Sequence, residues 1–480
     1  MEAINIFLKK EQESKLFQRK LFGICYWEYI RPVVSCETNS TISQTSEMFS
    51  KTKFSFSKYA LRLKNFKDYF LKKKDYDILV VAQPRRVKTK KGYRSNIVDY
   101  YIDYLKEDYK VKAIEEPTYC SLGVSNNAHE FPLYTEDIYL TDIHELMHII
   151  RKRIYKIIHP IKYKKILKEY EEVHTILNSW YKKGHPIVNF KEFFIDSIIR
   201  LDKDWYYVKR IIRKINPKVV MLYYMPGIFK QMIIHECNLQ NIPTIEIQHG
   251  TITKIDPLVN HTYDMATIHN DNQYIFSFGD LQVNHYALTI KDEKKVIPVG
   301  FPFFEEKIKE LSKSKAKRKK EILIVSQSTI GDAISKWTAE LADLIKDTDY
   351  HITFKYHPSE IPKNYECLKK DNITEIKTEK TIYDLQKEAE IQIGSYSTSL
   401  YEGFALKVPT LVIESMFGSI ETVDILKDIK KGAYFINKPE DVLKYLGRHD
   451  ITPLDKDIEK IWKMNSKENI KKEIKKIIGG

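Results

Sequence analysis

Beyond Lys320, apolar runs of strand length alternate with amphipathic stretches of helical length. The pattern predicts strand 322–326, helix 332–346, strand 350–356, a short strand near 373–376, helix 381–389 and strand 390–394. Helix 399–406, strand 410–414, helix 420–430, strand 433–436 and helix 439–446 follow. Strands alternating with helices predict a parallel sheet covered on both faces. The first half is less regular, yet Asp77–Ala82, Lys218–Tyr223, Thr244–Gln248 and Tyr274–Phe278 also read as strands with helical stretches between them. A second α/β unit is expected there, with 1–70 and 120–200 as helical or irregular additions. No internal repeat is visible.

The 480 residues exceed one ordinary core, so two or three domains are expected. Leu311–Lys320 is polar, basic and unpatterned, and it immediately precedes a clean strand. The expected division is therefore 1–310, a linker at 311–320, a second unit at 321–450, and a basic amphipathic helix at 451–480. A hydrophobic content of 43% supports globular packing. The opening Met1-Glu-Ala-Ile-Asn-Ile-Phe-Leu-Lys-Lys returns to charge too soon for a signal-peptide core, and no apolar run approaches the ~20 residues of a membrane span. Cys25, Cys36, Cys120, Cys237 and Cys367 are scattered without a C-x-x-C pair. That spacing argues against a disulfide framework or a cysteine zinc site and for a cytoplasmic setting.

A net charge of +14 is clustered in part. Arg151 to Lys168 holds eight Lys and Arg and no acid, interleaved with Ile and Tyr. In the tail, Ile470, Ile474, Ile477 and Ile478 fall at helical spacing with lysines between them. Basic amphipathic segments of this kind suit an anionic membrane surface. Nucleic acid is not expected as a partner, because the aromatics form no recognised binding module.

Two strand ends carry the chemistry. Ile352-Thr-Phe-Lys-Tyr-His-Pro358 stops at Lys355, His357 and Pro358, with Lys355 and His357 sharing side-chain parity. Ile391-Gln-Ile-Gly-Ser-Tyr-Ser-Thr-Ser399 stops at Gly394 and the hydroxyls of Ser395, Ser397, Thr398 and Ser399, then opens a helix. A third end, Ser326-Gln327-Ser328, closes the strand after the linker. In open parallel sheets, ligands bind where strands end and helices begin, because backbone N–H groups converge there. A phosphorylated, nucleotide-linked ligand is therefore expected.

These residues, in this order, resemble the GT-B glycosyltransferases of bacterial surface polysaccharides. Bacterial sialyltransferases of that fold carry a His-Pro motif and a Ser-Ser/Thr motif that contact the cytidine nucleotide of the donor. CDP-glycerol glycerophosphotransferases carry a similar pair and a His-Gly-Thr motif, which here matches Gln248-His249-Gly250-Thr251. The resemblance covers about 215–440. It implies two Rossmann-like domains facing each other across a cleft, a CMP- or CDP-linked donor (with UDP as an alternative), a glycan or lipid-linked acceptor, and no metal or cofactor. The acidic motif that supplies the sialyltransferase base has no counterpart. His249 is the candidate general base, since an imidazole is suited to taking a hydroxyl proton at neutral pH. Asp256, Glu246 and His261 are reserves. Glu402, expected in the first turn of the helix after the hydroxyl cluster, is either a ribose ligand, as the resemblance implies, or a dipole-favoured acid.

Two rival readings stand beside this one. A sugar-nucleotide epimerase could use the same fold, because fold alone does not assign reaction. His144-Glu145-Leu-Met-His148 matches the zinc-peptidase pattern H-E-x-x-H, with Glu169 as a third ligand. Asp-x-Asp occurs at Asp75/Asp77, Asp202/Asp204 and Asp455/Asp457, too often in so polar a chain to mark a metal site.

Overall fold

Two separate parallel sheets carry the strands that the apolar runs predict. The computed structural model describes residues 2–41, 74–82, 87–89, 92–115, 138–180, 189–223, 227–250, 269–281, 296–313, 318–327, 330–357, 360, 365–416 and 424–479. In chain order the strands are β1 (Ile78–Ala82), the hairpin β2 (Val87–Thr89) and β3 (Gly92–Arg94), β4 (Val111–Glu115), β5 (Ile138–Leu140) and β6 (Val219–Tyr223). They continue as β7 (Thr244–Ile247), β8 (Tyr274–Ser277), β9 (Val296–Pro298), β10 (Glu321–Val325) and β11 (His351–Lys355). The last four are β12 (Ile373–Ile376), β13 (Ile391–Gly394), β14 (Thr410–Ile413) and β15 (Ala433–Ile436).

The first sheet runs β5-β4-β1-β6-β7-β8-β9 and the second β12-β11-β10-β13-β14-β15. In each, the chain starts mid-sheet, moves to one edge, and crosses back to build the other half. The strand order therefore reverses between β1 and β6, and between β10 and β13. Such reversals splay the flanking connections to opposite faces and open a crevice at the carboxyl ends of the strands.

Alternation along the strands of the second sheet feeds two apolar layers. Ile322, Ile324, Ile352, Phe354, Ile391 and Ile393 pack on one face, while Leu323, Val325, Leu400 and Val408 pack on the other. The first sheet was harder to read, since β4, β5 and β9 escaped prediction. Val111-Lys-Ala-Ile-Glu115 has a lysine and a glutamate in a five-residue strand, which hides its fully buried pattern. The region expected to be helical between 120 and 200 contains helices Asp142–Ile158, Pro160–Ser179 and Phe190–Lys203. The predicted helix at 439–446 is a 3-10 segment, Pro439–Lys444.

The tail is not the single free helix of the sequence reading. Helices Asp455–Ile461 and Ser466–Gly479 return to the first sheet, where Ile470 and Ile474 are fully buried among Val80, Ile102, Leu105 and Val111. Burial of each isoleucine contributes about 1.5–3 kcal/mol. Lys467 and Lys471 pair with Glu107, and Lys471 also with Asp108. The isoleucine face expected to meet a membrane thus belongs to the core.

The return path is tightly seated. Lys463 N–H donates to Phe278 O (2.8 Å). A Cβ at Gly279 would collide with Ile461 O, and one at Gly300 with Lys463 O; Gly300 also has φ of +94°, which favours glycine. Between the units, Trp462 packs on Phe278, Phe301 and Phe304 at centroid distances of 5.1, 6.0 and 4.6 Å, and its indole N–H donates to Tyr401 O (3.0 Å). Tyr401 and Phe404 of the second unit complete this aromatic layer.

Candidate functional site

At the reversal in the second sheet, Val325 of β10 pairs with Gly394 of β13. The next residues, Ser326 and Ser395, therefore stand at neighbouring strand ends. Both are buried, and neither hydroxyl has a hydrogen-bond partner among the described residues. A buried unpaired hydroxyl is costly, so two at adjacent strand ends have capacity to take up a polar group. Gln327 follows Ser326, and its carbonyl accepts from Ile330 N–H (3.1 Å) to start the turn into helix Gly331–Leu344. Ser328 lies outside the described residues.

Beside them, Ser397 caps helix Thr398–Ala405, its hydroxyl accepting from Ser399 N–H (3.3 Å). That is the N-cap expected of one member of the cluster. Thr398 and Ser399 form the first turn, where backbone N–H groups point away from the helix and can meet an anion. Two buried amides hold this turn. Gln392 Nε2 donates to Leu400 O (2.7 Å) and Thr410 Oγ1 (2.8 Å), while Gln386 Nε2 donates to Gln392 Oε1 (3.0 Å) and Ser399 O (2.7 Å). The sequence reading missed both glutamines. The available signal was Gln392 itself, a polar residue between two isoleucines of a buried strand.

On the other side of β10, His357 extends past the end of β11. Its N–H donates to Glu360 Oε2 (3.1 Å), and Tyr365 O–H donates to Glu360 Oε1 (2.9 Å). Glu360, also missed, fixes the His357 turn. Lys355 points elsewhere: its ammonium donates to Lys377 O beyond β12, and burial lowers its pKa. The Lys355 ammonium is thus engaged beyond β12 despite its shared parity with His357. Pro358 lies outside the described residues.

Glu402 requires a correction. It is the fifth residue of its helix rather than part of the first turn, so the helix dipole does not account for it. Its carboxyl accepts from Tyr383 O–H (3.0 Å), and burial raises its pKa to about 7, opposed by that hydrogen bond.

The first sheet supplies the opposite wall. Gln248 N–H donates to Phe276 O (3.1 Å), its side-chain amide donates to Gly250 O (2.8 Å), and its Oε1 accepts from Phe278 N–H (2.7 Å). This buried glutamine shapes the turn that presents His249, whose ring lies edge-on to Tyr223 at 6.0 Å. Glu246 is buried in β7, one residue before its last, Ile247. Thr251, Asp256 and His261 lie outside the described residues. A Cβ placed on Gly250 would sit 3.7 Å from Thr398 Oγ1. The His-Gly turn of one unit and the hydroxyl cluster of the other thus meet across the gap between the sheets.

No family model and no curated protein matches the chain. Its arrangement is similar to that of several solved structures. The UDP-GlcNAc 2-epimerase from Methanocaldococcus jannaschii is 12% identical over 84% of this chain and 100% of that one, with a TM-score of 0.46. For Acinetobacter baumannii MurG the values are 12%, 84%, 99% and 0.45, and for the wall teichoic acid polymerase TagF 10%, 89%, 98% and 0.42. Such distant likeness carries no chemistry to this chain. What decides the architecture is the pair of parallel sheets, each with one reversal, meeting at their strand ends. The fold is of the GT-B type.

Glu145 and His148 of the rival H-E-x-x-H sequence are committed to ion pairs. Arg200 donates to both oxygens of Glu145 (2.6 and 2.8 Å). His148 lies between Asp196 (3.2 Å) and Asp204 (2.9 Å); burial opposes its charge, but the two carboxylates outweigh burial and raise its pKa. Glu169 accepts from Arg19 (2.6 Å) and from Tyr26 instead of standing near either histidine. Asp202 and Asp204 belong to the same helical network, through Tyr155, Lys162 and Arg151. No group of His, Cys, Asp or Glu suited to a metal occurs among the described residues.

Proposed function

We propose that the chain is a GT-B glycosyltransferase that moves a sugar or sugar-like unit from a nucleotide donor to a hydroxyl of a growing surface glycan. The observation that carries this reading is the approach of Gly250 to Thr398, which sets an imidazole-bearing turn opposite a phosphate-type cradle. In this mechanism Ser326, Ser395 and the N–H of Thr398 hold the donor phosphates, with His357 donating from the neighbouring strand end. His249 takes the acceptor proton as the acceptor oxygen attacks the sugar carbon, and the bond from that carbon to the phosphate oxygen breaks. Charge left on the nucleotide is met by the hydroxyls, the helix terminus and His357. A CMP- or CDP-linked donor is favoured by the His-Pro and Ser/Thr pattern, and the same resemblance gives Glu402 the ribose hydroxyls.

A second reading, a sugar-nucleotide epimerase, draws on the narrowness of the same gap. A Cβ on Gly250 would stand 3.7 Å from Thr398 Oγ1, so the His-Gly turn and the hydroxyl cluster come close at this point. Two measurements decide. A thermal-shift panel of CMP, CDP, UDP and GDP identifies the base, since a ligand specific to the folded state stabilises by about 2.7 kcal/mol at a hundredfold excess over Kd. Donor turnover with and without glycan acceptor then separates the reactions. Stabilisation by no nucleotide would overturn both readings, and turnover without acceptor would overturn the transferase.

A further inference from the structure

Helix Asp142–Ile158 has two apolar faces, and only one of them is covered. His144, His148 and Tyr155 are buried against the rest of the first unit. About 120° around the helix, Ile150, Ile154, Ile157 and Ile158 follow one another at spacings of four, three and one, which places them on a single stripe. They are 46%, 39%, 72% and 57% exposed, and Ile161, just past the corner at His159, is 73% exposed. Isolated exposed apolar residues are ordinary, but five isoleucines in one stretch are not.

The stripe is bordered by cations. From Leu146 to Lys168 the chain contains no Asp or Glu. Arg153 flanks the stripe on the first helix, while Lys164, Lys165 and Lys168 follow Ile161 by three, four and seven residues, on its own face of helix Pro160–Ser179. These four side chains make no ion pair among the described residues and extend into solvent. Arg151, Lys152 and Lys162, by contrast, are tied to Asp204, Asp196 and Asp202.

We infer that this corner docks the protein on an anionic lipid surface, with the isoleucines entering the boundary of the acyl chains and the free cations at the level of the headgroups. Charge complementarity selects that occupant. A second copy meeting through the same face would oppose like charges across a two-fold axis. A protein partner is less suited to a rim of lysines, which protein interfaces tend to exclude. Long basic side chains beside an apolar stripe match the geometry of an interfacial helix, whose stems lie along the apolar zone while the charges reach outward. The C-terminal helix does not share this role, because its isoleucines are internal. This inference does not depend on the reaction assigned to the cleft.

The test is co-sedimentation of the full chain with phosphatidylcholine vesicles and with vesicles containing 30% phosphatidylglycerol, at low and high salt. The parent is expected to bind only the anionic vesicles and to be released by salt. Arg153→Glu/Lys164→Glu/Lys165→Glu should lower partitioning at least tenfold, at about fivefold per charge. Ile157→Ser/Ile161→Ser should also weaken it, with charge intact. Both variants alter exposed positions, so unchanged melting and nucleotide affinity will show that they fold. A parent that ignores anionic vesicles, or binds neutral ones equally, overturns the inference. So does a parent that light scattering shows to be a dimer dissociated by the isoleucine changes, which would make the stripe a contact between copies.

Discussion

Gly403 and Gln392 occupy space that allows no side chain between them: a Cβ on Gly403 would fall within the van der Waals shell of Gln392 Oε1. The helix that carries the hydroxyl cluster is thereby fixed against β13 by an amide as well as by the apolar packing of Leu400. The same amide bonds Leu400 O and Thr410 Oγ1. Gln392→Leu would leave these acceptors without this donor and the Gln386 amide with only Ser399 O. It is expected to cost about 2–4 kcal/mol, as buried groups lose hydrogen bonds at about 1–3 kcal/mol each. Urea unfolding monitored by tryptophan fluorescence measures it; a loss below ~1 kcal/mol would show that the turn is held by other contacts.

Ser326 and Ser395 should behave in the opposite way. Their hydroxyls are buried and unpaired among the described residues, so Ser326→Ala and Ser395→Ala are expected to leave stability unchanged or slightly raised. Nucleotide affinity should fall by about 2–10-fold in each, the value of one net hydrogen bond. Calorimetric titration beside thermal melts checks both halves. Affinity kept within error in both variants would place the phosphates elsewhere.

His249→Gln separates chemistry from binding. If the imidazole takes the acceptor proton, kcat should fall about 10²–10⁴-fold while donor affinity is little changed. His357→Ala should instead raise the donor KM, since its proposed role lies on the donor side. Steady-state kinetics on both variants, with acceptor saturating, resolves the split. A His249 variant with near-parental kcat would transfer the role to another group.

Glu402 makes stability depend on pH. Its folded pKa is raised from 4.5 to about 7, so its protonated form favours the fold. That contribution is complete below pH 4.5 and is lost as the pH rises through about 7. At about 1.4 kcal/mol per pH unit, the loss is on the order of 3 kcal/mol. Glu402→Gln should remove this component, so the difference in stability between parent and variant changes across pH 4.5–8 and is flat outside it. Equal pH profiles for the two proteins would contradict a buried carboxyl at this position.

The second sheet was readable because its strands are apolar or alternating runs ended by small or polar residues, and local pattern suffices for such strands. Ser326, His357, Ser395 and Ser397 stand out in the sequence for the same reason: they are among the first polar groups after a strand. The supporting residues do not, because Gln386, Gln392 and Glu360 act through partners distant in sequence or on the far side of a turn. The misplacement of Glu402 came from a helix start read one residue late, and Lys355 from treating parity as direction. In the tail, helical spacing of isoleucines marked an apolar face correctly. Spacing does not say what covers that face, and here β1, β4 and their neighbours do.

The seat of Ile470 and Ile474 against the first sheet has a consequence for the making of the protein. A unit whose strands begin at Ile78 cannot close its core until residues more than 350 positions later have been synthesised. On the ribosome, the second sheet can assemble first, between the halves of the first unit's chain, while the face around Val80, Leu105 and Val111 waits uncovered. Late closure of this kind raises the loop entropy of folding and leaves apolar surface open to chaperones during translation. Chains that stop early would be left with that face exposed.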